Sequence, residues 1–203
     1  VTDENVTVSI STSGTGTEGA DYATISDITI TAGDTTGTSS FTPTDDSVYE
    51  GDETGVVAIS GVSGGGATES GSQSVTITIA EDETAPTVVL SSSAASIAEN
   101  AGSSLTLTAT LSVATTENVI VSISTSGTGT EGTDYGTVAD ITVEAGQTTG
   151  ISSFTPSDDL TYEGDETAII TVSGVSGGSA TESGSQEVTL TIIEDESAPT
   201  VTL

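Results

Sequence analysis

The chain has 203 residues, 31 of them Asp or Glu, with no Lys, Arg, His or Cys and a formal net charge of −31. Without cations it has no electrostatic grip on phosphate, so nucleic acid is not a partner and anionic membrane surfaces are poor ones. Without Cys or His it offers no thiol or imidazole chemistry, no disulfide framework and no zinc or iron site of the usual kinds. No apolar run approaches the ~20 residues that cross a bilayer, so direct membrane insertion is not expected. A signal peptide and an initiator Met are also missing from these residues, so the expectation is an excerpt of something longer.

High charge and a modest aliphatic content lean toward disorder, but the patterning opposes it. Apolar residues alternate with Ser and Thr in short runs, as in Leu105, Leu107, Ala109 and Leu111 or in Val188, Leu190 and Ile192. That period of two marks half-buried strands, and helical periodicity is absent beyond a turn. In chain order the alternation predicts strands at 86–92, 103–112, 118–126, 139–145, 149–155, 167–174 and 186–193. Loops are expected at Gly127 to Gly136, Pro156 to Glu166 and Gly174 to Gly184, where Gly and Asp gather. Seven short strands in about 110 residues argue for an all-β, two-sheet antiparallel sandwich.

The strongest feature is duplication. Residues 1–90 align on 114–203 without a gap, at an offset of 113, with 65 of 90 positions identical. Residues 91–113 have no partner in the first copy. The Ala-Pro-Thr-Val at 85–88 marks the natural boundary, since Ala198 to Leu203 repeat the opening at Ala85 to Leu90. The expected domains are a first one at 1–84, truncated at its N-terminal strands, a complete one at 85–197, and the start of a third at 198–203.

The acids are clustered at loop ends. Asp158-Asp159, Glu163 and Asp165-Glu166 share one loop, Glu194-Asp195-Glu196 closes the last strand, and Asp134 sits in Glu131-Gly132-Thr133-Asp134-Tyr135. The first copy repeats the set with Asp21, Asp45, Asp46, Glu50, Asp52, Glu53, Glu81, Asp82 and Glu83. Like charges packed without Lys or Arg are unfavourable unless a cation sits among them. Hard oxygen ligands in irregular loops suit calcium, which takes six to eight oxygens in flexible geometry, better than strictly octahedral magnesium. Dispersed acids such as Glu117, Asp140 and Glu187 read instead as a solvated surface.

An Asp-Tyr after a Gly-Thr-rich loop, then Asp-Asp-x-x-Tyr-Glu-x-x-Glu, then a terminal acidic triplet, resembles the Calx-beta domain. That resemblance covers the whole chain and implies tandem seven-strand immunoglobulin-like sandwiches, as found in sodium–calcium exchangers and in long bacterial surface proteins. It also implies calcium at one end of the sandwich, held in the complete copy by Glu99, Asp134, Asp158, Asp159, Glu163, Glu166, Glu194, Asp195 and Glu196. The matching residues of the first copy are Asp21, Asp45, Asp46, Glu50, Glu53, Glu81, Asp82 and Glu83. Glu99 is the only acid between 91 and 113, so its coincidence with a ligand position adds independent weight. The triplet departs from the family's commoner run of Asp, and longer arms alter which of the three coordinate.

The functional expectation is a non-enzymatic, calcium-binding structural repeat of a long extracellular bacterial protein, an adhesin stalk or surface filament at the cell surface. Calcium would stiffen its interdomain joints. Its partners would be calcium ions, neighbouring repeats of the same chain and identical chains in a filament. The alternative is a regulatory calcium sensor like the exchanger domains. A glycosidase using paired carboxylates is disfavoured, because Trp is absent and no aromatic sugar platform is present.

Overall fold

The computed structural model describes residues 1–203, which divide into two compact units. Unit 1 comprises Val1–Asp46 and Glu50–Asp82, and unit 2 comprises Ser47–Tyr49 and Glu83–Leu203. All regular structure is β, as the alternation requires, and no helix is long and apolar enough to cross a membrane.

Unit 1 is one antiparallel sheet built from β1 (Val6–Gly14), β2 (Ile28–Ile30), β4 (Glu53–Ser63) and β5 (Ser74–Ile79), in the order β2-β1-β4-β5. The two-residue β3 (Val48–Tyr49) belongs to unit 2 and pairs in parallel with β9 (Ala114–Thr115).

Unit 2 adds β6 (Thr87–Ser92), β7 (Ser96–Ala98), β8 (Leu105–Leu111), β10 (Val119–Gly127), β11 (Ile141–Val143), β12 (Thr149–Phe154), β13 (Glu166–Ser176), β14 (Thr181–Glu182) and β15 (Glu187–Ile193). They form two sheets, β11-β10-β13-β15-β7 and β12-β8-β6-β14, which is the two-sheet architecture expected. Inward positions alternate along β8, where Leu105, Leu107, Ala109 and Leu111 are buried and the Thr residues between them are not. These meet Val119, Val121, Ile141, Ile170 and Leu190 of the facing sheet in a single apolar core.

All seven expected strands are present. The loop expected at Gly174 to Gly184 is shorter, because β13 runs on to Ser176 and β14 forms at Thr181–Glu182 by pairing in parallel with β6. The three-residue β7 was not expected; one buried side chain, Ile97, is too little alternation to announce it, and its strand character comes from parallel pairing with β15.

The two copies share local devices. The β10–β13 ladder shifts register between Ser122 and Ile123, and the Asp140 carboxylate accepts the freed Ile123 N–H at 2.8 Å. β1–β4 shifts between Ser9 and Ile10, where Asp27 accepts Ile10 N–H at 2.9 Å. Gly127 ends β10 at a φ of 129°, and a Cβ there would collide with the Thr167 carbonyl oxygen. The chain therefore turns sharply into the loop that carries Asp134.

Candidate metal centre

The loop after β10 is wound around Asp134. Asp134 is buried, its carboxylate accepts Thr130 N–H at 2.5 Å, and its own N–H donates to the Thr130 carbonyl at 2.9 Å. Tyr135 next to it is 1 % exposed and packs its ring 4.9 Å from that of Phe154. The aromatic pair anchors the loop in the core and leaves Asp134 at the domain end. Glu99 follows directly on β7, whose pairing with β15 is continued by Glu99 N–H donating to the Ile193 carbonyl at 2.9 Å. Parallel pairing thereby sets Glu99 beside the triplet that ends β15.

Carboxylate oxygens in three overlapping groups lie within 4.8 Å of one another: Glu99 with Glu194, Asp195 and Glu196; Glu99 with Asp159 and Glu163; and Asp134 with Glu163 and Glu166. Glu99 and Glu163 each belong to two groups, so one continuous acidic site joins four segments. Eight of the nine residues expected in this copy are thus brought together. Asp158 is exposed and joins none of the three groups.

Charge crowding without a counter-ion leaves its mark on these groups. Burial, then the neighbouring charges of Glu194, Asp159 and Asp195, push the Glu99 carboxyl up, against a lowering hydrogen bond from the Asp159 backbone. Burial and the charge of Asp134 raise Glu163 and Glu166. Glu196 is pushed up to about 7 by its side-chain hydrogen bond with Glu194, by desolvation and by the surrounding acids. Glu194 moves the other way, down to about 2, because backbone N–H groups of Glu163, Glu196 and Gly164 donate to it. Glu196 Oε2 is buried with no hydrogen-bond partner, although a carboxylate oxygen sheltered from water demands a proton, a donor or a cation.

In unit 1, Asp21, Glu50 and Glu53 form the corresponding group, and Glu50 is pushed up by burial and by the charges of Asp21, Asp46 and Glu81. Glu81 repeats the role of Glu194: its carboxylate accepts Glu50 N–H at 2.6 Å and Gly51 N–H at 2.5 Å. Asp45, Asp46 and Asp82 also lie in unit 1, whereas Glu83 falls in unit 2.

Two features escape a reading of acid spacing. Asp165 and Asp52 accept the N–H groups of Glu194 and Glu81 at 3.1 and 3.0 Å, supporting the ends of the terminal triplets. Asp140 and Glu117 are not merely solvated surface: Asp140 caps the register shift, and Glu117 accepts Gly178 N–H at 3.1 Å. Their recurrence as Asp27 and Glu4 in the first copy was the available signal, since Glu4 likewise accepts Gly65 N–H at 3.4 Å. A cluster of hard oxygen donors, irregular loops and one orphaned buried oxygen fits a divalent cation of the calcium type.

The Calx-beta domain matches residues 1–83 and again residues 81–197. The chain belongs to the Calx-beta domain family, in two tandem copies. Among solved structures it is similar to the apo form of the Calx CBD1 domain, at 19% identity and a TM-score of 0.45 over 54% of this chain and 98% of that one. It is also similar to CBD12 from CALX1.2, at 17% identity and a TM-score of 0.43 over 95% and 88% of the two chains. A calcium binding domain structure, CBD12 of CALX1.1, follows at 18% identity and a TM-score of 0.34 over 83% and 68%. No curated protein matches the chain.

Proposed function

We propose that the chain is a calcium-binding structural module, a pair of repeats from a long extracellular bacterial protein such as an adhesin stalk or surface filament. The observation that carries the calcium reading is the Glu196 oxygen, buried without a donor among Glu99, Glu194 and Asp195. Glu99, Asp134, Asp159, Glu163, Glu166 and the Glu194–Glu196 triplet hold the ion in unit 2, and Asp21, Glu50 and Glu53 hold one in unit 1. The near-identity of the copies supports a repeating structural role over a pairing of specialised domains. Only Thr84 and Ala85 separate the triplet Glu81-Asp82-Glu83 from Pro86, which restricts the backbone itself, so metal on that triplet stiffens the joint.

Melting in chelator and in millimolar calcium tests the reading. Saturation at about 100 times the dissociation constant adds about 2.7 kcal/mol per site, and equal melting temperatures refute it. Small-angle scattering tests the joint: calcium should lengthen the maximum dimension. Membrane-spanning helices encoded alongside these repeats would favour the regulatory sensor instead.

A further inference from the structure

Residues 98–101 form a β-turn, closed by Ala101 N–H donating to the Ala98 carbonyl at 3.1 Å. Glu99 and Asn100 are its two central residues, directly after β7. Glu99 N–H is held by the Ile193 carbonyl at 2.9 Å, so the turn is fixed against the end of β15. Its second central side chain meets the acidic triplet: Asn100 Nδ2 donates to Asp195 Oδ2 at 2.5 Å.

Only six side chains of the sequence carry an N–H group, three Asn and three Gln, since Lys, Arg, His and Trp are absent. Gln73 and Gln186 donate theirs to the carbonyls of Ser70 and Ser183. Asn5 and Asn118 turn their oxygens to the main-chain N–H groups of Ala32 and Ala145. Asn100 is the one that reaches a carboxylate of the candidate metal centre.

Asp195 shares its group with Glu99, Glu194 and Glu196. Both oxygens of Glu194 are engaged by main-chain N–H groups, so this corner is short of free oxygens for an ion that takes six to eight. A fifth carboxylate would add repulsion, and a neutral amide oxygen would not. We propose that Asn100 is a further calcium ligand, an assignment that rests on the calcium reading above. An amide offers its nitrogen or, after a half-turn about χ2, its oxygen at the same place. Without metal the N–H faces Asp195 and stands in for the cation. Beside a cation the N–H end of that dipole is repelled and the oxygen end attracted, so the amide turns and its oxygen joins the ligands.

The test follows calcium binding to the full chain by NMR, at the backbone amides of Glu99 and Asp195 and at the Asn100 side-chain NH2. The NH2 signals of Asn100 should shift with the same midpoint as Glu99, while those of Asn118 stay in place. Asn100→Ala should weaken binding about tenfold, as one oxygen fewer does at a site tuned by its ligands. Its melting in chelator should hardly move, because water replaces the lost partner of an exposed pair. Asn100→Asp separates the two ends of the amide. It keeps an oxygen and loses the N–H, so it should bind calcium at least as well as the parent. Three results overturn the assignment and leave the calcium reading intact: unchanged affinity in Asn100→Ala, weaker binding by Asn100→Asp than by Asn100→Ala, or an Asn100 NH2 that stays in place while Glu99 shifts. An equal fall in the melting temperature of Asn100→Ala with and without calcium overturns it as well, since that marks a merely structural role. No shift at Glu99 refutes the calcium reading itself, and the assignment with it.

Discussion

Glu194 Oε2 accepts the backbone N–H of Glu163 at 2.6 Å, which ties the end of the last strand to the acidic loop. The same oxygen accepts Gly164 N–H at 2.7 Å, and Oε1 accepts those of Asp195 and Glu196 at 3.1 and 3.0 Å. Both oxygens are thus engaged by main-chain donors. Glu194 fixes the positions of Glu163 and Glu196 as much as it offers a ligand of its own.

Glu194→Gln places an amide where one oxygen now meets N–H donors. The loop loses its anchor although only one charge is removed. Calcium affinity should fall about 10- to 100-fold, the range for partners that orient ligands. Calorimetric titration measures it, and an unchanged affinity would assign the orienting role elsewhere.

Metal-free stability should depend on pH in an unusual sense. Glu196, held up to about 7, and Glu99, Glu163 and Glu166, also raised, bind protons more tightly when folded. Their contribution is complete below the ordinary carboxylate range and is lost as pH rises through their folded values. Glu194, held down to about 2, contributes above that range, and this is lost as pH falls toward 2. The chain in chelator should therefore melt higher at about pH 5.5 than at about pH 8. Calcium competes with the same protons, so its affinity should fall between about pH 8 and pH 5.5. Melting curves and titrations at these pH values check both statements.

The paired aspartates should prove unequal. Asp159 shares a group with Glu99 and Glu163, whereas Asp158 joins none. Asp159→Asn should weaken calcium binding by tenfold or more, and Asp158→Asn should change it little. Asp140→Ala is the contrasting control: it removes the acceptor of Ile123 N–H and should cost about 0.5–1.5 kcal/mol of stability with calcium binding unchanged. Titration and denaturant unfolding of the three variants separate these effects.

Leu107 is fully buried at the centre of β8. Leu107→Ala should destabilise unit 2 by about 2–5 kcal/mol through lost burial and a residual cavity. Val57→Ala in unit 1 should cost less, because its side chain is only partly removed from water. Denaturant unfolding followed separately for the two units compares them.

Much of this was legible in the residues because the alternation along β8 and β15 is long enough to fix both strand and face. The duplication made every acid cluster readable twice, so Asp134, Glu163 and Glu166 stood out beside Asp21, Glu50 and Glu53. What stayed hidden depends on pairing between distant segments. β7 has three residues and one buried side chain, and only its ladder with β15 makes it a strand and brings Glu99 to the triplet. Nothing in the local spacing separates Asp158 from Asp159, or marks Glu194 as a hub of main-chain donors.

The parallel ladder of β7 and β15 also has a mechanical meaning. Its pairs are Thr191 with Ser96, Ile192 with Ile97 and Ile193 with Ala98. Tension between the entry to β7 and the exit from β15 drags these strands in opposite directions along their length. The bonds are then loaded in shear and must yield together, whereas a hairpin pulled from its open end unzips one rung at a time. Glu99 and the Glu194–Glu196 triplet sit at the exit of this clamp. An ion gripped there would act as a rivet across the two strands that bear the pull.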